Sequence, residues 1–217
     1  MAMTLANLKY LTQYLVGDPQ LTTYSQQMYQ DAINFACKDY ATKTGSTYKE
    51  EPGLTVDSNG FVTIPTSYIR LQRVMYKVRN ATYTRLLEST MSFEFEKSFT
   101  WETTFGLPRR WVLFAGNKIK LTPIPMIGAS YPASIGYVET PNVLTGDSST
   151  VDSRIPEAHH EYLKYAASAW LLLLDGEGQD FQRAEAFMSK FNQLIGYVDP
   201  VLDQKLASSR TKGVREV

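Results

Sequence analysis

The hydrophobic period changes twice along this chain, and that change constrains the fold more than any single motif. Over residues 1–45 the spacing is helical: Leu5, Leu8, Leu11 and Leu15 recur at steps of three and four, as one face of an amphipathic helix requires. Thr4 is placed to cap that helix and Gly17 to stop it. After the turn Gly17-Asp18-Pro19, Ser25 is placed to cap a second helix. Its face carries Tyr29, Ile33, Cys37 and Tyr40, and it ends near Gly45. Two such helices joined by a tight turn predict an αα-hairpin.

From residue 46 to about 140 the pattern alternates between short apolar runs and turn residues. Leu54-Thr55-Val56 and Phe61-Val62-Thr63-Ile64 flank Asp57-Ser58-Asn59-Gly60, which reads as a β-hairpin. Residues 71–78 with 83–87, and 111–114 with 118–121, read as two further strand pairs. Residues 134–138 read as a last strand and 89–98 as a short helix. Beyond the loop at 146–150 the helical period returns. Ile155-Pro156 opens a long helix through His159, Tyr162, Ala166, Ala169, Trp170 and Leu173, apolar on most sides and so expected to be the most buried element. After Gly176-Glu177-Gly178, the residues Phe181, Ala184, Met188, Phe191, Ile195 and Val198 form a helix-packing stripe. Asp199-Pro200 then turns the chain into a short apolar stretch and a polar, mildly basic end that would be disordered alone. The expected fold is α+β: a helical bundle formed by the N- and C-terminal helices (1–45 and 151–198), an inserted β-rich domain (46–150) and an extended C-terminal tail (199–217).

Composition excludes more than it selects. Of 217 residues, 43% are hydrophobic and 20% charged, the balance of an ordinary globular chain. Lys plus Arg (22) equal Asp plus Glu (22), so no electrostatic footprint marks a dedicated nucleic-acid or membrane binder. The 14 tyrosines suit either a Tyr-rich core or surfaces apolar on one side and wet on the other. Cys37 is the single cysteine, which rules out an internal disulfide and a cysteine metal cluster and reads as an inert buried thiol. The N-terminus lacks the features of a signal peptide, and the longest apolar run, 165–174, is too short to cross a bilayer. A reducing cytoplasm is the expected site of synthesis.

The inventory for chemistry is thin. His159 and His160 are the only histidines; being adjacent on a helix they point about 100° apart and do not chelate one ion as an i, i+4 pair does. Glu157, His160 and Glu161 read as a solvated helix start whose carboxylates complement the dipole, in preference to an ion site. No phosphate-binding loop or dinucleotide fingerprint is present. A hydrolase would have to draw on acids such as Glu94, Glu96 and Asp152. Arg109-Arg110-Trp111 interleaves charge and aromatic as single-strand binders do, and in a neutral chain reads as a strand edge, with a subunit or DNA contact as the functional alternative. The expectation is a protein that is no enzyme and has no catalytic, cofactor-binding or metal residues.

Taken in order, several segments resemble the head-to-tail adaptor, or head–tail connector, family of tailed bacteriophages. They are Ile64-Pro65-Thr66-Ser67-Tyr68-Ile69-Arg70-Leu71; Gly106-Leu107-Pro108-Arg109-Arg110-Trp111; Ile119-Lys120-Leu121-Thr122-Pro123-Ile124-Pro125; Tyr137-Val138-Glu139-Thr140-Pro141; and Ile155-Pro156-Glu157-Ala158-His159-His160. The opening helices with their Gly17-Asp18-Pro19 turn share the likeness. It implies a virion assembly protein made in the host bacterial cytoplasm. The subunits would form a ring oligomer of about twelve copies between the portal protein and a tail or nozzle protein. Double-stranded DNA would pass through its channel without sequence-specific binding and with no membrane involved. It also implies a C-terminal segment that clasps the portal; within this chain's own tail, Leu202 and Leu206 read as apolar anchors for such a partner and Lys205, Arg210, Lys212 and Arg215 as cations that meet carboxylates at the rim. Competing readings are another tail-side ring, such as a terminator or nozzle component, and a small DNA-binding packaging accessory protein.

Overall fold

The computed structural model describes residues 2–77, 83–114, 117–126, 132–174, 176 and 178–196. In chain order the elements are α1 (Leu5–Val16), α2 (Gln26–Thr44), β1 (Tyr48–Leu54), β2 (Phe61–Thr63), β3 (Tyr68–Lys77), β4 (Tyr83–Ser89), α3 (Met91–Lys97), β5 (Phe105–Gly106), β6 (Arg110–Phe114), β7 (Lys118–Thr122), β8 (Ile124–Pro125), β9 (Ala133–Glu139), α4 (Glu157–His160), α5 (Leu163–Leu172) and α6 (Phe181–Leu194). They divide between two compact units: one is built from the segments up to Ser46 and from Pro141 onward, the other from Thr47–Thr140.

In the first unit, short polar side chains set the helix ends. The Thr4 hydroxyl accepts the Asn7 N–H at the start of α1, Ser25 accepts the Met28 N–H at the start of α2, and Asp180 accepts the Arg183 N–H at the start of α6. Gly17 and Gly45 close α1 and α2 in the left-handed conformation, where a side chain would be strained. α5 lies against α1, α2 and α6, and its Ala166, Ala167 and Ala169 are fully buried, so small residues let three helices approach one axis. Leu5, Leu8, Tyr29, Ile33 and Phe191 fill the same core. The single long helix expected after Ile155 is broken: the Tyr162 N–H bonds to the His159 carbonyl and Tyr165 to Tyr162, the tighter i→i+3 pattern, which separates α4 from α5.

Polar clamps hold the segment before α4. The Asn34 amide both donates to the Leu144 carbonyl (3.1 Å) and accepts the Leu144 N–H (2.9 Å). Lys9 pairs with Asp147 at 2.9 Å. Asp152, buried, takes the Arg154 side chain and the N–H groups of Asn142 and Arg154.

The second unit is a seven-stranded sheet, curled into a half-barrel, in the order β1-β9-β3-β4-β6-β7-β2, with β5 and β8 paired separately. Every neighbouring pair in the seven is antiparallel except β4 with β6. β9 is buried along both faces. Ile135 and Tyr137 face the core shared with Val62, Val74, Leu86, Trp111 and Ile119. On the outer face, Gly136 leaves room for the Tyr48 ring, where any Cβ would collide with the Tyr48 hydroxyl. Arg73 lies over that ring and pairs with Glu50.

Two expectations are corrected here. The chain is α+β, but it is not a helical bundle decorated by an inserted β-rich domain. The strands make a half-barrel with a core of its own, the larger sheet element of a mostly β unit. The extended tail of the expected plan lies outside the described residues. The hairpin expected at 54–64 also fails. Asp57 does build a turn, accepting the Asn59 and Phe61 N–H groups. The strands it joins nevertheless pair elsewhere, β1 with β9 and β2 with β7, and end at opposite edges of the sheet. Turn chemistry is local, whereas strand pairing is chosen by which residues fill a shared face.

Candidate functional site

Most of the side chains that sequence reading singled out for chemistry are occupied with structure, whereas Glu96 and Arg109 are exposed. Burial, followed by the nearby charge of Asp152, pushes the Cys37 thiol up to about 12, so it is protonated and inert. His160 is buried; its Nδ1 accepts the Met3 N–H at 3.2 Å and its Nε2 lies 2.9 Å from the Ile155 carbonyl. The neutral ring with its proton on Nε2 satisfies both contacts. The expected solvated helix start is therefore wrong for His160, which pins the N-terminal segment to the turn before α4. His159 bonds to the Tyr40 hydroxyl instead. Among the described residues no group of three or more His, Cys, Asp or Glu is placed to hold a metal ion. Of the acids a hydrolase would need, Asp152 is held well below the usual carboxylate range, first by the Arg154 side chain and then by backbone N–H bonds against the opposing effect of burial. Glu94 is taken up by hydrogen bonds with Ser89 and Arg110.

Glu94 is the key to an unusual surface. It lies on α3 and is 4% exposed, accepting the Ser89 hydroxyl at 2.6 Å and the Arg110 guanidinium at 3.2 Å. Phe93 and Phe95, one residue to either side on the helix, are 50% and 52% exposed. An amphipathic helix on a water-facing surface buries its rings; α3 exposes both of its rings and buries only Glu94, while Glu96 stays exposed. The chain after it continues the pattern. Phe99 is 82% exposed, Phe105 and Leu107 are more than half exposed, and Phe95 meets Phe99 edge-on at 4.9 Å. Beside these rings lies a cleft of about 400 Å³ whose wall includes Lys97, Trp101, Leu107, Arg109, Arg110 and Pro123. Trp101 itself is buried and, with Phe61, brackets the Lys120 ammonium at 5.5 and 4.8 Å.

The Arg109-Arg110-Trp111 cluster is divided by the pleat of β6. Trp111 belongs to the sheet core, Arg110 is tied to Glu94 and lies over the Phe93 ring at 5.1 Å, and Arg109 is exposed at the cleft. The tail residues Leu202, Lys205, Leu206, Arg210, Lys212 and Arg215 lie outside the described residues.

A protein-family profile described as SU10 adaptor protein matches residues 3–215. The chain belongs to that family. No curated protein matches it. The family is a structural one of bacteriophages and not an enzyme class, so this adaptor is a virion component whose partners are other head and tail proteins. No described helix is long and apolar enough to cross a membrane. For an adaptor the inverted α3 is a meaningful feature, since large exposed apolar patches mark protein contacts. Sequence reading missed it, although the signal was present. Phenylalanines at i and i+2 on a helix lie about 200° apart and cannot both face one core.

Proposed function

We propose that this chain is the head-to-tail adaptor of a tailed phage, a ring subunit that joins portal to tail and continues the DNA channel. The observation that carries the reading beyond family membership is the outward-facing aromatic surface of α3, which makes sense only if it is covered in an assembly. The ring has about twelve copies, closed by repetition of one contact. Its C-terminal segment clasps the portal through Leu202, Lys205, Leu206, Arg210, Lys212 and Arg215, and a tail or nozzle protein docks on the far side. Formal net charge zero suits a bore through which DNA slides, because a strongly basic lining would hold phosphates by counterion release.

The docking half of this reading has a direct test. Removal of residues 200–217 is expected to leave the far-ultraviolet circular dichroism and the denaturant midpoint of the purified protein unchanged. Adaptor occupancy on filled heads should fall roughly tenfold or more, because a ring held by many weak tails loses all of them at once. The heads are then expected to leak DNA. Normal occupancy with the truncated chain would move the portal contact elsewhere.

A further inference from the structure

We propose that the α3 surface is the contact between copies of this chain: Phe99 of one subunit, with Phe95 packed against it, fills the Trp101–Leu107–Pro123 cleft of the next. The proposal rests on the adaptor reading for its biological setting but on the geometry for its content. A protruding ring and a cleft able to receive it occur on the same unit of the same chain. At about 400 Å³ the cleft has the volume of a small-molecule pocket and takes a benzyl group easily. A knob and a hole on one subunit generate a head-to-tail contact, the kind that repeats into a closed ring.

Area and charge both favour a second copy as the occupant. At roughly 200 Å² per phenylalanine, Phe95, Phe99 and Phe105, each half or more open, present on the order of 400 Å². With Leu107 added this comes to roughly 500 Å², about the apolar share of the ~800 Å² per partner that a stable interface buries. The rim carries both signs. Among the described residues Lys97 and Arg109 have no ion-pair partner, and neither do Glu96 and Glu102. A patch with unspent charges of both signs is complementary to another copy of itself. An anionic partner such as DNA would meet Glu96 and Glu102 as repulsion.

Two single variants of the full chain test the contact, Phe99→Cys and Leu107→Cys. The native Cys37 is buried and its thiol stays protonated, so only the introduced thiols react. Particles assembled from both variants together are expected to give a cross-linked dimer of this chain on oxidation, roughly tenfold above particles made with either variant alone, because the contact raises the local thiol concentration. Particles that contain the chain but give no such dimer, or give an adduct with another virion protein, overturn the contact while leaving the adaptor reading intact. If particles made with the unsubstituted chain exclude it, the adaptor reading fails. The contact is then judged by the same cross-link in concentrated mixtures of the purified variants, where its absence overturns it.

Discussion

Replacing Asp18 with alanine is expected to cost about 3–5 kcal/mol of unfolding free energy at neutral pH, the scale of breaking a buried charged hydrogen-bond network. Asp18 is buried and gathers the N–H groups of Thr22, Thr23 and Tyr24 with the hydroxyls of Thr22 and Tyr29. Without it, Tyr24 N–H and the Tyr29 hydroxyl are left in an apolar core, where water does not replace the acceptor. Burial alone would raise the Asp18 pKa; the N–H bonds from Tyr24, Thr22 and Thr23 outweigh it and hold the carboxyl below its ordinary value. The folded pKa therefore lies below the unfolded one. The stabilisation is complete above the unfolded carboxylate pKa of ~4 and is lost as pH falls through and below it. Asp152, lowered chiefly by the Arg154 side chain, adds to the same acid limb. Urea midpoints at neutral pH and near pH 3 check both points: Asp18→Ala should be much weaker at neutral pH and lose less than the parent on acidification. Equal midpoints at neutral pH would mean that the turn is not held by this carboxylate.

Phe191→Ala is expected to cost about 3–5 kcal/mol, as a fully buried ring replaced by a methyl group leaves a cavity. Phe191 packs against Tyr40 at 6.5 Å between ring centres, under the Lys43 ammonium at 5.2 Å. Phe191→Leu should cost less than about 1.5 kcal/mol because it keeps most of the volume. Trp170→Ala should cost less than Phe191→Ala, since Trp170 is only partly buried beside the exposed Phe35. Calorimetric or urea unfolding of the three variants gives the order, and a Trp170 cost above that of Phe191 would contradict the packing described.

The contrast between Trp170 and Phe191 shows what was legible in the sequence. Both lie in apolar helical runs, and periodicity alone favours the larger ring as core. The packing of α5 against three helices spends its buried positions on alanines instead. Helix ends were readable at Thr4, Gly17, Ser25 and Gly45 because capping is a matter of three or four adjacent residues. The pairs β3 with β4 and β6 with β7 were readable because each joins neighbouring strands. The pairing of Tyr48 with Val138 was not, since nothing near residue 48 specifies a partner ninety residues away. His160 was misread because one of its two partners, Met3, lies more than 150 residues away in the chain.

The contact surface was hidden differently. A Phe-rich stretch is ordinarily core, and only the buried ion pair of Glu94 with Arg110 reveals that α3 has turned its rings outward. The tail was the reverse case: its composition suggested a partner without any geometry to confirm one. Tyrosine serves in both ways that composition allowed, buried at Tyr29, Tyr40 and Tyr137 and exposed at Tyr10 and Tyr14 on α1.

Electron cryo-microscopy of intact particles tests the central claim most directly. The account expects density for this chain as a closed ring directly beneath the portal vertex, with the α3 aromatics buried between neighbouring subunits and DNA or an open channel along the axis. A particle in which this chain is absent from the head–tail junction, or present there as isolated copies that do not touch one another, would contradict it.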